Sequence, residues 1–394
     1  MWQRVSLRNY RSIEKADVVL APFTVLVGAN GSGKSNFADA LLLATEISFD
    51  AQAAIKRRGG IASIRRWGIP DSEETSVTIR GADSRSDLDR EFVEQFFSLL
   101  PDSGTEWRFG SEWILSTKGG RGQLLVREDE DLEELVPRFG EELIGHGAMS
   151  LDGLVPTTSI SLFARQSKPL TPSPSASRRL QLDLSKMRAP HLVSSSTELE
   201  EDGSNLAGVL RRLKAEGGVA FEGVLLAMRR LIPELVDLCV SEAGQFLFVE
   251  FVQRQSGGDA RFGIREMSDG ALRALGIIVA ARTMPAGRCL IIEEPEVSVH
   301  PAAAAVLYEV LKEASERGSI LVTTHSPEFL DAAHDEEILV CRYRDGLTRI
   351  GPLANAQREV LNEGLFSLSE LIRSEPLRIE GEPPEVLGTP GTEP

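Results

Sequence analysis

Gly28-Ala29-Asn30-Gly31-Ser32-Gly33-Lys34-Ser35 decides the fold, because this stretch satisfies the pattern G-x-x-x-x-G-K-[ST] of a phosphate-binding P-loop. The run before it, residues 23–27, reads Phe-Thr-Val-Leu-Val, which predicts a short buried strand. After it, apolar residues recur at helical spacing and predict a helix over 36–49; they are Phe37, Ala40, Leu41, Ala44 and Ile47. Strand, glycine loop and helix are the context that the pattern requires.

The parts of this loop suit a nucleoside triphosphate and its metal. Glycines let the backbone curl until successive N–H groups face the phosphates, and the helix N-terminus adds its positive dipole end. Lys34 is expected to reach the β- and γ-phosphates, and Ser35 to hold Mg²⁺. The expected cofactors are therefore ATP and Mg²⁺; the expected nucleotide-binding residues are Gly28, Ala29, Asn30, Gly31, Ser32, Gly33, Lys34, Ser35 and Asn36. The alternative is a plain Gly/Ser-rich turn.

The composition of the 394 residues is that of a globular protein, with 42% hydrophobic and 26% charged residues. No apolar run approaches the roughly 20 residues of a spanning helix, and the N-terminus lacks the apolar core of a signal peptide. The cysteines, Cys239, Cys289 and Cys341, are far apart, so we expect reduced thiols in a cytoplasmic protein. A net charge of −16 argues against a generally basic nucleic-acid binder.

The order of predicted elements suggests one unit with three parts. Strands follow one another before residue 160, which favours an antiparallel sheet; they are Trp2–Leu7, Asp17–Leu20, Ser76–Arg80, Glu112–Ser116 and Gln123–Arg127, and a helix is expected over Asp87–Leu100. A Pro/Ser-rich linker at 167–177 and helices then fill 161–240. From 241 to 374 a βαβ rhythm takes over, and the tail from 375 to 394 is expected to be disordered.

A pair of acids ends an apolar strand in the βαβ region. Cys289–Ile292 predicts the strand, which we expect beside the P-loop strand, and Glu293 and Glu294 follow it. One carboxylate can coordinate Mg²⁺ and the next can orient and activate a water molecule. By position Glu293 is the expected metal ligand and Glu294 the expected base. The alternative is a pair of solvated acids.

Two further segments carry polar groups suited to a γ-phosphate. His325 follows the next strand, Ile320–Thr323, and we expect it at the same sheet edge, where it can sense the phosphate. Ser268, Asp269 and Gly270 open a helix with residues suited to binding an anion. Taken alone, this second segment is an ordinary N-cap, and a lone histidine is more often structural.

Taken together, these segments resemble those of ABC-type ATPase heads, in particular the RecF/SMC-like ATPases grouped as AAA-21 or OLD-like. Gly28–Ser35 resembles their Walker A motif, Ser268–Gly270 their signature, Ile291–Glu296 their Walker B and Thr324–Ser326 their switch histidine. The resemblance implies an α/β P-loop NTPase head with a mixed or parallel core sheet, an antiparallel β subdomain and a helical insertion. It also implies Lys34, Glu294 and His325 as catalytic residues.

The resemblance extends to the N-terminus and departs from the family pattern in places. Leu7–Ser12 resembles the family's N-terminal N-[FY]-[RK] segment, which makes Arg11 a candidate nucleotide contact. Glu293 stands where Asp is more common in Walker B, and it adds one methylene group. The glutamine that helps to hold the metal is not clear from the sequence, and Gln166 is the candidate.

In such heads the signature of one subunit caps the ATP of another, so the resemblance implies a homodimer or a higher oligomer closed by two ATP molecules. The first hypothesis is an ATP-hydrolysing protein acting in a DNA-linked process, such as repair or defence against phages or plasmids. Its candidate phosphate contacts are Arg8, Arg11, Lys56, Arg57, Arg58, Arg65 and Arg66, and the alternative for them is a solvated basic loop.

The second hypothesis is a regulatory ATPase subunit that restrains or releases a separate effector, such as a nuclease or toxin, without binding DNA itself. It rests on the lack of an obvious further catalytic domain after His325 in this sequence. A transporter subunit is disfavoured by the long irregular insertion between Walker A and the signature. No membrane partner is expected.

Overall fold

The elements are given by a computed structural model that describes residues 1–81, 93–102, 106–118, 121–127, 155–157, 177–193 and 196–382. The strands are β1 (Trp2–Tyr10), β2 (Ile13–Val19), β3 (Phe23–Val27), β4 (Thr75–Gly81), β5 (Val93–Pro101), β6 (Trp107–Lys118), β7 (Arg121–Arg127), β8 (Val155–Thr157), β9 (Ser177–Leu180), β10 (His191–Leu192), β11 (Leu235–Ala243), β12 (Phe246–Gln255), β13 (Gly258–Gly263), β14 (Cys289–Glu293), β15 (Ser319–Thr324), β16 (Ile338–Arg344) and β17 (Leu347–Pro352).

The helices alternate with strands mainly in the C-terminal part. They are α1 (Lys34–Arg57), α2 (Leu184–Met187), α3 (Leu206–Glu216), α4 (Val219–Leu231), α5 (Asp269–Thr283), α6 (Pro301–Ala314), α7 (Pro327–Ala332), α8 (Asn355–Asn362) and α9 (Leu368–Ser374). In the part of the chain that the structure describes, no helix is both long enough and apolar enough to cross a membrane.

One large sheet carries the predicted site, with the order β8-β7-β6-β5-β4-β1-β2-β17-β16-β3-β15-β14-β9 among the described residues. The strands β16, β3, β15, β14 and β9 pair parallel with one another in that order, whereas β16 pairs antiparallel with β17. The strands from β7 to β2 pair antiparallel, as the run of N-terminal strands predicts. The α/β fold with a mixed core sheet and an antiparallel part is therefore confirmed.

Helices cover both faces of the parallel half. Alternate residues of β3 point to opposite faces, so Val25 and Val27 pack with one buried cluster and Leu26 with another. The first cluster includes residues of α3–α6 and of a smaller antiparallel sheet formed by β10, β12, β11 and β13. The second includes the apolar face of α1 and the inner face of the antiparallel strands. The P-loop helix is thus fixed by its packing before any ligand binds.

Two sequence-based expectations about this sheet were wrong. The helix expected over Asp87–Leu100 is a strand where it is described, because β5 pairs with β4 and β6, which together satisfy its backbone hydrogen bonds. The strand β14 does not lie beside the P-loop strand, because β15 lies between them. Chain order alone cannot reveal this insertion of a later strand.

The basic segment after the P-loop is largely neutralised by carboxylates. Arg58, whose side chain is 7% exposed, lies 3.0 Å from Asp39 and 2.5 Å from Glu46. Arg57 pairs with Glu46 as well. A buried cation with two partners is a structural element that ties the end of α1 to its middle, and it is not available to phosphates. The expectation that Arg58 contacts DNA is therefore wrong.

Two other basic residues of the segment are also held in ion pairs, Arg65 with Asp71 at 2.8 Å and Arg66 with Glu14 at 3.4 Å. The side chains of Lys56 and Arg8 are exposed. Of the basic residues named from the sequence, these two are the ones whose charges are best presented to solvent.

Candidate functional site

The P-loop is shaped by glycines that have no room for a side chain. A Cβ on Gly28 would lie 2.1 Å from the Cys341 carbonyl oxygen. Gly33 has a φ of 104°, and a Cβ there would lie 2.3 Å from Thr348 Oγ1. Thr348 also donates a hydrogen bond to the Ser32 carbonyl at 2.9 Å. Strands β16 and β17 therefore support the loop from behind, a contribution that the sequence did not indicate.

The front of the loop is open to solvent. Ala29, Asn30 and Gly31 are exposed, and the hydroxyl of Ser32 is buried without a hydrogen-bond partner. A row of accessible backbone groups at a helix N-terminus is suited to bind phosphate oxygens. The front of the loop therefore presents accessible polar groups, and binding of a triphosphate there stays a prediction.

Lys34 and His325 meet across the sheet edge. The ammonium group of Lys34 lies 2.8 Å from His325 Nε2 and donates to the carbonyls of Gly28 and Ala29 at 2.7 and 3.1 Å. Burial lowers the pKa of the His325 imidazole, and the Lys34 charge lowers it further. Burial also lowers the pKa of Lys34. A neutral imidazole can accept a hydrogen bond from Lys34, so the structure brings these two predicted site residues into contact.

Ser35 and Glu293 supply oxygens of the kind that magnesium prefers. The Ser35 hydroxyl donates to Glu293 Oε2 at 2.6 Å. Mg²⁺ in nucleotide sites is held by one or two protein oxygens together with phosphates and water. The pair fits that requirement, so the longer Glu293 side chain still reaches the serine that the P-loop pattern selects.

Glu294 occupies a strained turn directly after β14. Its φ is 48°, which is uncommon for a residue with a side chain, and such outliers cluster at functional sites. Its Oε1 lies 3.3 Å from His325 Nε2. Burial raises its pKa to about 7, and hydrogen bonding to the Glu296 carboxyl and the charge of Glu296 act in the same direction. A carboxylate of such basicity is suited to accept a proton from water.

The signature segment forms an exposed helix start away from the P-loop. Ser268 caps α5 by accepting from the Ala271 N–H at 3.2 Å, and Asp269 is held by Arg188 at 2.6 Å. Among the described residues, no hydrogen bond or ion pair joins Ser268, Asp269 or Gly270 to the P-loop. A Cβ on Gly270 would lie 2.3 Å from the Ser298 carbonyl, so only glycine lets this helix pack on the segment after Walker B.

Arg11 and Asn36 lie next to each other beside the P-loop helix. The Arg11 guanidinium lies 2.8 Å from Asp39 and 3.4 Å from the Asn36 side-chain oxygen. Asn36 donates to Ser12 at 2.7 Å. The turn between β1 and β2 is thereby attached to α1, and the nucleotide contact expected of Arg11 stays a prediction.

No contact among the described residues identifies the glutamine that was expected to help hold the metal. Gln166 lies outside the described residues, so its predicted role stays a prediction. The register of β9 with β14 pairs Leu180 with Ile292, which places Gln181 next to Glu293. Arg179 forms an ion pair with Glu293 at 2.8 Å. Sequence reasoning missed both residues, because the short strand β9 gives no strong pattern of its own.

These features define a P-loop ATPase of the ABC head type. The overall fold, with its parallel core and its antiparallel strands, is similar to that of Smc heads. An Smc head bound to the C-winged helix domain of ScpA superposes with a TM-score of 0.54 at 17% identity, covering 91% of this chain and 99% of that one. The Smc head with an extended coiled coil from Pyrococcus furiosus, bound to the C-terminal domain of ScpA, gives 0.51 at 15%, covering 92% and 99%.

The sequence identifies the family. The protein-family model described as "AAA domain, putative AbiEii toxin, Type IV TA system" matches residues 127–331 of the sequence. A second family model, described as "AAA ATPase domain", matches residues 1–93. The first of these models covers more than half of the 394 residues, so the chain belongs to the AAA-21 family. The OLD nuclease of Thermus scotoductus is 24% identical over 371 residues, which cover 87% of this chain and 62% of that protein. The chain thus spans less than two thirds of that relative's length.

Proposed function

We propose that this protein binds ATP with Mg²⁺, hydrolyses it slowly and uses it to close a head-to-tail dimer. The observation that carries the proposal is the convergence of Lys34, Ser35, Glu293, Glu294 and His325 from three separate segments. Contacts of 2.6 to 3.3 Å join them into one constellation. Each group has the chemistry that phosphate, metal or water activation needs.

In this proposal each residue has one task. The P-loop amides and Lys34 hold the phosphates, and Ser35 with Glu293 would hold Mg²⁺, which would supply positive charge to the phosphates when bound. Glu294 accepts the proton of the attacking water, and His325 contacts the γ-phosphate and responds to its loss. The exposed Ser268 of a second protomer binds the same phosphate from the other side. Closing and opening then follow binding and release of the γ-phosphate.

Hydrolysis is tested on the wild-type protein by phosphate release with ATP and Mg²⁺. We expect turnover that stops when EDTA removes the metal and returns when Mg²⁺ is added back. ADP and AMP in place of ATP serve as controls for contaminating phosphate release. A protein that binds ATP with Mg²⁺ but releases no phosphate would limit the proposal to a nucleotide-binding switch.

We propose further that the ATP-dependent clamp acts in a DNA-linked process, such as repair or defence against phages or plasmids. The similarity to a protein named as a nuclease supports this, although it extends over part of that protein. The neutralised basic segment favours the second candidate, in which the ATPase restrains or releases a separate effector protein. The Smc heads that share the fold are bound to a ScpA domain, which supports a protein partner.

The two candidates differ in what purifies with the protein and in salt dependence. If DNA binds directly, replacing the exposed Arg8 and Lys56 with Glu is expected to reduce the slope of log affinity against log salt by about 2. Replacing Arg373, exposed on α9, with Glu is the control for a general charge effect, because Lys15 is the direct cross-strand partner of Arg8. A stoichiometric protein partner together with no measurable DNA binding would favour the effector candidate.

A further inference from the structure

Glu296 lies in the turn after β14 and contacts the loop after β15. Its Oε1 accepts hydrogen bonds from the Thr324 hydroxyl at 2.5 Å and from the backbone N–H groups of His325 and Ser326 at 3.0 and 3.1 Å. Backbone groups of two consecutive residues cannot both point at one oxygen unless that loop is held in a single conformation. The carboxylate therefore fixes the segment that carries His325.

The other oxygen of the same carboxylate, Oε2, is buried and has no hydrogen-bond partner among the described residues. Burial and, after it, the Glu296 carboxyl raise the pKa of Glu294, whose Oε1 lies 3.3 Å from His325 Nε2. Two carboxyl groups close to each other cost free energy unless they are compensated. The three hydrogen bonds that Glu296 Oε1 accepts supply that compensation. Glu296 is therefore the residue that holds this arrangement together.

We propose that Glu296 is a positioning residue that holds Glu294 and His325 in a fixed relation, so that the proposed base and the proposed phosphate sensor act as one unit. This inference rests on the proposed ATP hydrolysis. Glu296 itself touches neither phosphate nor metal in this assignment. Its effect on turnover is therefore indirect, through the geometry of two other side chains.

The test compares Glu296→Ala with Glu296→Gln. Alanine removes all three acceptor contacts, and displacements of about 1 Å at a reacting group can lower turnover about 100-fold. We expect kcat to fall about 10- to 100-fold, with KM for ATP changed less than about 3-fold. Glutamine keeps an oxygen acceptor for His325 and Ser326 and can donate its amide to Glu294. It is therefore expected to retain kcat within about 5-fold of wild type.

A second measurement reports how firmly the loop that carries His325 is held, whether or not ATP is hydrolysed. Hydrogen–deuterium exchange at the amides of His325 and Ser326 is expected to accelerate in Glu296→Ala and to stay near wild type in Glu296→Gln. Replacing the exposed Glu336 with Ala is the matched control, because it removes a surface carboxylate near the same sheet. If the wild type hydrolyses no ATP, the proposed function fails, while the exchange result still decides the positioning role.

Clear outcomes contradict the inference. Glutamine as inactive as alanine would show that the carboxylate takes part directly in proton transfer. Wild-type kcat and exchange in Glu296→Ala would show that the contacts are dispensable. Should the alanine variant not fold, Thr324→Val removes one of the three donors and is expected to lower kcat about 3-fold at constant KM. Unchanged kcat in that variant would also count against the role.

Discussion

Replacing Glu294 with Gln is expected to lower ATP hydrolysis by about 10²- to 10⁴-fold while ATP still binds. The amide keeps the size of the side chain and its place in the turn after β14, but it cannot accept a proton from water. Because hydrolysis is the step that opens the proposed dimer, ATP should trap the variant in a larger form. Phosphate release and size-exclusion chromatography with light scattering, with and without ATP, measure both effects.

Glu293→Gln is the control one residue away. The loss of a metal ligand should raise the Mg²⁺ concentration needed for nucleotide binding, whereas Glu294→Gln should leave that concentration unchanged. Hydrolysis by Glu294→Gln within about 3-fold of wild type would exclude Glu294 as the base. Loss of ATP binding in the same variant would instead assign it a structural or metal role.

Each part of the candidate site is a short local motif at the end of a predicted strand, and this is why most of these parts could be recognised in the sequence. Gly28–Ser35, Glu293–Glu294 and His325 each end a parallel strand, and parallel strands bring their carboxyl ends to one edge. Their meeting follows from the alternation of strand and helix, whichever strand lies between. The strand predicted beside β14 was wrong, but the predicted meeting of these residues at one sheet edge did not depend on it.

The supporting residues could not be predicted in the same way. Thr348 contacts the P-loop although it lies 316 residues away in the sequence. It reaches the loop only because β17 lies beside β2. Arg179 meets Glu293 only because the short strand β9 joins the sheet edge. The strand β5 has apolar spacing that also suits a helix, and its pairing partners on both sides decide between the two. Long-range pairing carries this information, and one sequence alone does not show it.

The shared-site dimer makes a prediction that no single-chain ATPase can meet. Lys34→Ala removes the phosphate-binding ammonium group, and Ser268→Arg places a long cation at the exposed signature. Each variant alone is expected to be inactive, since every ATP in a homodimer then faces one damaged half. In a mixed dimer, the intact P-loop of the Ser268→Arg protomer meets the intact signature of the Lys34→Ala protomer. One of the two sites is therefore complete.

Equal amounts of the two inactive variants should thus regain hydrolysis on mixing. Random exchange makes half of the dimers mixed, each with one working site, so activity should reach about one quarter of wild type if the sites act independently. Adding Glu294→Gln to the Ser268→Arg protomer places that second lesion beside the intact P-loop, in the one complete site of the mixed dimer, and should abolish the recovery. If hydrolysis still recovers in this mixture, the base does not come from that protomer. If hydrolysis does not recover in the first mixture, Ser268 does not act across the dimer.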